Sequence, residues 1–239
     1  MSGQRVGVVG SEKAARAVEA AGGEPVRGPA PFDSVRAVVA SGEAAVVDLV
    51  RGGVDVPVVA VESGAGLRSV PLDRLEAAIG RVLGGGGSTV RHPVVEAAGD
   101  GIEPIRAVFD VGLMAAEPAR ISEFAVRSGG TRVSRFRADG VVAATPAGSA
   151  GYNRNAGGPV VAPGTDVASV VPVSPFATAP DRWILPIDSV GFSVERDETP
   201  VELLVDGRRE LTVGAGGAVT VSRVGSFETY ALPESSAPF

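Results

Sequence analysis

The sequence predicts an α/β domain with a parallel, Rossmann-like sheet, followed by a β-rich domain. In the first 83 residues, short apolar segments typical of buried strands alternate with amphipathic segments typical of helices. Beyond four consecutive glycines at 84–87, short segments of alternating polar and apolar residues are separated by turn residues about every 8–12 positions. We therefore expect an α/β domain over residues 1–87 and a β-rich domain over residues 88–239, which ends in a tail.

The first domain contains predicted strands that are each followed by a predicted helix. Apolar runs predict strands at 6–9, 35–40 and 56–61, and helical periodicity predicts helices at 12–21, 43–50 and 72–83. Strands that alternate with helices form parallel sheets, in which ligands bind outside the carboxyl ends of the strands. Those ends lie near Gly10, Gly42 and Gly64, so we expect a ligand site there.

The second domain consists of short predicted strands. They lie at 90–95, 105–113, 121–127, 131–137, 140–144, 169–173, 182–186, 190–194, 201–205 and 218–224. The glycines at 84–87 are interpreted as a linker between the domains rather than as a phosphate-binding loop.

The composition limits the classes of function open to this chain. Its 239 residues include no cysteine, which excludes a disulfide framework and a thiolate metal site. The net charge of −6 argues against nucleic acid or an anionic membrane as a partner, and no apolar run of about 20 residues predicts a membrane span. The N-terminus lacks the charged and apolar regions of a signal peptide, so we expect a cytoplasmic protein.

Two unique residues exclude further kinds of site. His92 is the only histidine, and its position beside Pro93 is more typical of a structural residue than of a catalytic one. Lys13 is the only lysine, and because Ala14 follows it, the Gly-Lys-Ser/Thr pattern of a P-loop is absent. The sequence therefore supports neither a Ser–His hydrolase nor a P-loop nucleotide site.

The most specific stretch covers residues 139–159 and combines a strand with a long loop of small residues. Glycine has no Cβ and tolerates positive φ, so such a loop allows a ligand to approach the backbone closely. Tyr152 lies within the loop, and its ring is suited to stack on a base. From residue types alone, a tight turn with Tyr152 packed in the core is an equally good interpretation.

This stretch resembles the signature of the NAD kinase family, which reads approximately D-G-x-x-x-x-T-P-T-G-S-T-A-Y-S-x-S-A-G-G-P. The matching positions are Asp139, Gly140, Thr145, Pro146, Gly148, Ser149, Tyr152, Ala156, Gly157, Gly158 and Pro159. Further similarity follows at Pro163, Val171-Pro172, Leu185-Pro186 and Val205-Asp206-Gly207. The order of an α/β domain and a β-rich domain is also that of the family.

The resemblance implies an NAD kinase-like fold that binds NAD or NADP in the cleft between its domains. It implies phosphorylation of the 2′-hydroxyl of the adenosine ribose of NAD, with ATP or polyphosphate as donor. The divalent metal this requires, Mg²⁺ or another, is not expected to be held by the protein alone. A homo-oligomer, a dimer or a tetramer, is also implied. The residues expected to contact NAD are Phe109, Asp139, Ala147, Gly148, Ser149, Ala150, Gly151, Tyr152, Asn155 and Asp206.

The sequence departs from the family at the catalytic loop. Where the family has G-G-D-G, this chain has Ser41-Gly42-Glu43-Ala44, so one glycine remains and the carboxylate is one methylene further out. By the resemblance, Glu43 takes the place of the catalytic aspartate, and Gly42 and Gly10 are expected to hold phosphate. An alanine in place of the last glycine penalises any positive φ that the loop needs.

A second departure lies at the Asn-Glu pair through which the family meets NAD. The pair corresponds to Phe109-Asp110, where Asp110 is another candidate for the catalytic carboxylate but Phe109 has no amide. Asp206-Gly207 fits a hairpin turn as well as a ligand contact. Within the signature, two threonines and two serines of the family are replaced, by Ala147, Ala150, Asn153 and Asn155.

Three interpretations follow from the resemblance and the departures. In the first, the protein binds NAD or NADP but its kinase activity is weak or lost. In the second, it is an active NAD kinase that uses Glu43 or Asp110. In the third, it is a non-catalytic partner subunit of a true NAD kinase. The departures favour the first, and the retained Asp139 and Tyr152 argue against the third.

Overall fold

The computed structural model describes residues 4–237, with the exception of 29–31, 33, 118–119 and 179. The chain divides into two compact units. Unit 1 consists of Met1–His92 together with Ser226–Phe239, and unit 2 consists of Pro93–Gly225. The predicted division after residue 87 differs from this one, because the chain stays in unit 1 as far as His92 and returns to it at Ser226.

Unit 1 has a parallel sheet with helices, as its alternating pattern predicts. Its strands are β1 (Arg5–Val9), β2 (Glu24–Arg27), β3 (Val38–Ser41) and β4 (Val58–Val61), and its helices are α1 (Glu12–Ala20), α2 (Glu43–Arg51) and α3 (Leu75–Leu83). The strand order is β2-β1-β3-β4, and all of these pairs are parallel. Strand β2 was not predicted from the sequence. It is a short edge strand that pairs with β1 alone and has no buried residue, so it shows no apolar run.

The strand order creates a switch point at the carboxyl ends of β1 and β3. The chain leaves β1 towards β2 on one side and then crosses to β3 on the other. Open α/β sheets bind ligands at this position. Gly10 ends β1 here with a φ of 94°, and a Cβ on it would lie 2.7 Å from the carbonyl oxygen of Ser41. A glycine at this point therefore allows the two strand ends to approach each other.

His92 has a structural role in unit 1. Its side chain is fully buried, and its Nε2 lies 2.8 Å from Oγ1 of Thr229. The Thr229 hydroxyl in turn donates to the carbonyl of Leu67 at 3.2 Å. Burial lowers the pKa of His92 to about 4, so the imidazole is neutral at physiological pH. This environment fits the structural interpretation of the only histidine.

Unit 2 is built almost entirely of antiparallel strands. They are β5 (Ser88–Gly99), β6 (Ile102–Ala107), β7 (Asp110–Ala115), β8 (Ser122–Ser128), β9 (Thr131–Ala138), β10 (Gly140–Ala144), β11 (Val167–Val173), β12 (Trp183–Pro186), β13 (Val190–Arg196), β14 (Val201–Val205), β15 (Arg208–Val213) and β16 (Ala218–Ala231). A single turn of helix, α4, covers Tyr152–Asn155. The long strands β5 and β16 begin or end in unit 1.

Two sheets enclose the core of unit 2. One has the strand order β12-β11-β10-β7-β14-β15, and in the other β16, β13, β8 and β9 are neighbours. Leu113 and Leu203 of the first sheet share one buried cluster with Phe124 and Phe192 of the second. Trp183 packs at the margin of this core, with its ring stacked on Phe136 at a centroid distance of 5.9 Å.

Two of the differences from the sequence prediction in unit 2 lie close together in the fold. The predicted strand at 105–113 is interrupted, because β6 ends at Ala107 and β7 begins at Asp110. Strand β15 was not predicted, and it forms a hairpin with β14 around Asp206-Gly207, both of which have positive φ. The same hairpin causes the interruption, since Asp206 binds the amides between β6 and β7.

The predicted tail forms part of unit 1. Thr229 near the end of β16 pairs with Val58 of β4 in a parallel arrangement, and Tyr230 and Leu232 belong to the buried cluster of the α/β sheet. Within the part of the chain that the structure describes, no helix is long and apolar enough to cross a membrane.

Candidate functional site

The first group of predicted site residues lies at the carboxyl edge of the parallel sheet in unit 1. Gly42 follows β3 with φ of 84° and ψ of 158°, a conformation open only to glycine, and precedes α2. Its amide donates to the carbonyl of Val61 at 2.8 Å, which ties the turn to β4. Glu43 is the first residue of α2, and a Cβ on Gly64 would lie 3.2 Å from its Oε1. The structure thus brings Gly42, Glu43 and Gly64 together.

The backbone after Glu43 is helical, which changes the significance of Ala44. The sequence predicted a penalty if this residue needed positive φ. Ala44 instead lies in the first turn of α2, where alanine is the most favourable residue. The strained conformation is confined to Gly42, the glycine that the chain retains.

The second group surrounds an apolar pocket on the face of β7, β10 and β14 in unit 2. The pocket has a volume of about 210 Å³ and is lined by Asp110, Gly112, Met114, Val142, Tyr152, Leu204 and Gly207. Pockets that enclose a whole drug-sized ligand usually measure about 300–1,000 Å³. This one therefore fits a single ring system rather than an entire dinucleotide.

Tyr152 is the aromatic residue at this pocket, and it does not pack in the core. Its side chain is 46% exposed at the first position of α4. Partial burial raises the pKa of Tyr152, and the negative charges of Asp110 and Asp139 raise it further. The phenol is therefore neutral at physiological pH. Asp110 and Tyr152, which come from separate parts of the sequence, both line the pocket.

The signature loop is held by buried polar side chains. The Ser149 hydroxyl donates to the carbonyl of Pro146 at 2.8 Å and accepts from the amide of Val161 at 2.9 Å. Asn153 is fully buried, and its Nδ2 donates to the carbonyls of Ser149 and Pro159 at 3.0 and 2.9 Å. These bonds hold the loop from within.

Asn153 and Arg182 lie against the paired glycines of the signature. Oδ1 of Asn153 accepts a hydrogen bond of 2.8 Å from Ser169 in β11. A Cβ on Gly158 would collide with the Asn153 amide, so glycine is required beside this side chain. A Cβ on Gly157 would lie 2.6 Å from Nη2 of Arg182, whose guanidinium covers that glycine. The asparagine that replaces a family serine is therefore accommodated by its neighbours.

The remaining predicted NAD contacts fall into two sets. Asp139, Ala150 and Asp206 are partly buried, and Gly151 and Asn155 are exposed around α4. The other residues are buried. They are Phe109 and three residues of the loop itself, Ala147, Gly148 and Ser149. The contact of each with NAD stays a prediction.

Sequence analysis missed several residues of this site. The apolar lining of the pocket, Gly112, Met114, Val142 and Leu204, is scattered over three strands and carries no local motif. Thr145 and Asn153 lie inside the signature and could have been proposed as buried supports. Among the described residues, no group of three or more His, Asp or Glu side chains could hold a metal ion.

Comparison with known proteins identifies the family. A family model described as the ATP-NAD kinase C-terminal domain matches residues 110–233. An NAD kinase of Nitratidesulfovibrio vulgaris is 32% identical over 219 residues, which cover 87% of this chain and 77% of that protein. The chain belongs to the NAD kinase family. An NAD kinase of Methanosarcina barkeri is 34% identical over 115 residues, but this match spans only 42% of that relative and 48% of this chain.

Solved structures confirm the fold class of this family member. An NAD kinase from Archaeoglobus fulgidus, crystallised in complex with ATP, gives a TM-score of 0.77 at 20% identity and covers 97% of this chain and 95% of that chain. A yeast NADH kinase complexed with NADH gives a TM-score of 0.78 at 18% identity, with 98% of this chain and 85% of that chain covered. The predicted α/β domain followed by a β-rich domain is therefore confirmed.

Proposed function

We propose that this protein binds NAD or NADP through the pocket beside Tyr152 and that its kinase activity is weak or lost. The observation that carries the binding proposal is the exposed ring of Tyr152 at the rim of an apolar pocket that fits one ring system. An aromatic face and apolar walls bind a planar base or nicotinamide by stacking. Asp110 adds a carboxylate at the same rim.

Two features support weak phosphoryl transfer. Glu43 is the carboxylate at the switch-point edge of unit 1, and its extra methylene displaces the charge from the position of the family's aspartate. A misplacement of about 1 Å can cost about 100-fold in rate. Phe109 occupies the position of the family's asparagine and has no side-chain amide to offer a ligand. Its side chain is buried.

The divalent metal of the family reaction would fit this edge only if the substrate phosphates supplied part of its ligands. Mg²⁺ is usually held by one or two carboxylates together with substrate phosphates and water. Glu43 would supply the carboxylate, and the metal would neutralise charge on the transferred phosphate. Gly42 and Gly10 would let the phosphates approach the backbone.

An active NAD kinase is the second candidate, and the conformation of Gly42 favours it. The chain retains glycine at the position where φ is 84°, while Ala44 lies in helical backbone and costs nothing. The loop geometry is therefore compatible with the shorter or the longer carboxylate. In this candidate, Glu43 would orient the metal or accept the proton of the ribose hydroxyl, and ATP or polyphosphate would be the donor.

The test is to measure binding and turnover on the same protein. Binding of NAD and NADP is measured by calorimetry, and NADP formation is measured with Mg²⁺ and either ATP or polyphosphate. We expect Tyr152→Ala to weaken binding about tenfold, since loss of one stacked base costs about 1–3 kcal/mol. Tyr152→Phe, which keeps the ring, should bind as the wild type does.

For turnover, we expect little NADP from the wild type and an increase of up to about 100-fold in Glu43→Asp. Glu19→Asp makes the same substitution on the exposed face of α1 and should have no effect. Robust turnover of the wild type that is lost in Glu43→Ala would support the active kinase instead. Absence of any NAD or NADP binding would contradict both candidates and leave the role of a partner subunit.

A further inference from the structure

Val108 and Phe109 join β6 to β7, and Asp110 is the first residue of β7. All three amides of this Val108–Asp110 segment donate to one carboxylate, that of Asp206 in the β14–β15 hairpin. Oδ1 of Asp206 accepts from Val108, Phe109 and Asp110 at 3.0, 2.6 and 3.3 Å, and its Oδ2 accepts from Val108 at 3.1 Å. Hydrogen bonds to an ionised acceptor are among the strongest in proteins.

The carbonyls of the same segment are bonded as well. Thr145 donates its hydroxyl to the carbonyl of Val108 at 2.6 Å and its amide to the carbonyl of Phe109 at 2.8 Å. The amide of Asp206 donates to the carbonyl of Asp110 at 2.9 Å. Every backbone polar group of the segment is therefore held by Thr145 or Asp206, and a Cβ on Gly148 would collide with the Phe109 backbone.

These bonds hold the end of the segment, Asp110, at the pocket. Asp110 lines the pocket together with Tyr152, and Gly207 of the Asp206 hairpin lines it on another side. Asp206 thus joins two walls of the pocket through its own main chain and its carboxylate. Three main-chain amides converge on this carboxylate, all of them at Oδ1, which commits it to holding the protein chain.

We propose that Asp206 is a positioning residue, which fixes Asp110 and the Val108–Asp110 segment at the rim of the pocket beside Tyr152 and does not contact the ligand itself. This role rests on the proposed binding of NAD or NADP. It also assigns a different task to Asp206 from the NAD contact that the sequence resemblance implied. Asparagine at this position would keep one acceptor oxygen but present an NH₂ group to the amide of Val108.

The experiment combines amide exchange with a double-mutant cycle. Exchange of the Val108, Phe109 and Asp110 amides is measured by NMR in the wild type, Asp206→Asn and Asp206→Ala. NAD affinity is measured by calorimetry for Asp206→Ala, Asp110→Asn and the double variant. Asp197→Ala is the matched control, because Asp197 also accepts a backbone amide in unit 2, that of Ala215 at 3.1 Å, but does not line the pocket.

We expect faster exchange at the three amides in both Asp206 variants and about tenfold weaker NAD binding in Asp206→Ala. In the Asp110→Asn background, removal of Asp206 should have less than half of that effect, because the two residues act through one another. A general loss of stability would instead give additive effects. The control should match the wild type in both measurements.

Exchange rates and NAD affinity that match those of the control in a folded Asp206→Ala overturn the positioning role. If Asp206→Ala does not fold, amide exchange and NAD affinity are measured on Asp206→Asn instead, and the same outcomes support or overturn the positioning role. If the wild type binds no NAD, the proposed function fails, while the exchange data still decide whether Asp206 holds the segment.

Discussion

The signature loop of unit 2 and the turn at Ser41–Glu43 in unit 1 both meet a proposed ligand, yet they are held by different means. Buried side chains, Asn153 among them, close the signature loop with hydrogen bonds. The turn has no side-chain cap and depends on the backbone bond from Gly42 to Val61 and on the positive φ of Gly42. Substitution of a family residue is thus compensated by packing in the loop, whereas in the turn it alters the carboxylate that we propose for catalysis.

The comparison can be tested because each unit has its own spectroscopic probe. Trp183, the only tryptophan, lies in β12 of unit 2, so its fluorescence follows that unit. The three helices of nine residues each lie in unit 1, so far-ultraviolet circular dichroism at helical wavelengths follows that unit.

The largest effect is expected at Gly158. In Gly158→Ala the new Cβ collides with the buried Asn153 amide, and we expect a loss of about 4 kcal/mol. Overpacking costs about 1–3 kcal/mol, and a displaced Asn153 leaves buried partners unsatisfied. Urea unfolding followed by Trp183 fluorescence measures the loss. Asn153→Ser, which restores the smaller family residue, should recover part of it in the double variant.

The control is Gly191→Ala in β13, where the nearest atom to a Cβ would be the Arg127 Cβ at an ordinary 3.5 Å. We expect it to unfold close to the wild type. Strictly additive effects of Gly158→Ala and Asn153→Ser would contradict the account, because the collision requires both side chains.

The second effect is an acid sensitivity of unit 1. The pKa of His92 is about 4 in the folded protein against 6.5 when exposed, because burial opposes the charged form. The stabilising neutral form is therefore fully present above pH 6.5, and its contribution is lost as the pH falls towards 4. At 1.36 kcal/mol per pKa unit, the loss amounts to about 3 kcal/mol.

Urea unfolding of unit 1 between pH 7 and pH 4, followed by circular dichroism, checks this prediction. Carboxylates also titrate at the acid end, so the informative quantity is the difference between the wild type and His92→Gln. The variant should lose the part of the slope that lies between pH 6.5 and 5. An equal slope in both proteins would show that His92 does not couple to folding.

The smallest effect concerns the backbone of the turn. In Gly42→Ala nothing lies within 4 Å of the new Cβ, so the cost arises from the positive φ alone. We expect a loss of about 2 kcal/mol in unit 1, since strained backbone of this kind costs about 1–3 kcal/mol. Circular dichroism during urea unfolding measures it.

Gly80→Ala is the matched control within the same unit. Gly80 lies in α3, where a Cβ would meet no neighbouring group within 4 Å, and alanine there should stabilise the helix by about 0.5–1 kcal/mol. The two variants should change the free energy of unfolding in opposite directions. This difference separates backbone strain at positive φ from the helix propensity of alanine. A Gly42→Ala protein as stable as the wild type would mean that the turn adopts another conformation in solution.

The two units also differ in how much of them the sequence predicted. The apolar runs of unit 1 and most strands of unit 2 are visible because burial imposes a local period on the chain. Edge strands β2 and β15 were missed, since their exposure removes that period. The segment at 105–113 reads as one strand, and its interruption comes from Asp206, 97 residues beyond Phe109.

The sequence by itself determined the fold class, the family and the places where the family motifs are altered, because these depend on local patterns and on residue identity. Only the tertiary structure decided what Ala44, Asn153 and Asp206 do. Ala44 is harmless because it lies in a helix, Asn153 is accommodated because Gly158 is beside it, and Asp206 binds amides from a distant segment. Each of these outcomes depends on contacts between residues whose proximity exists only in the folded chain.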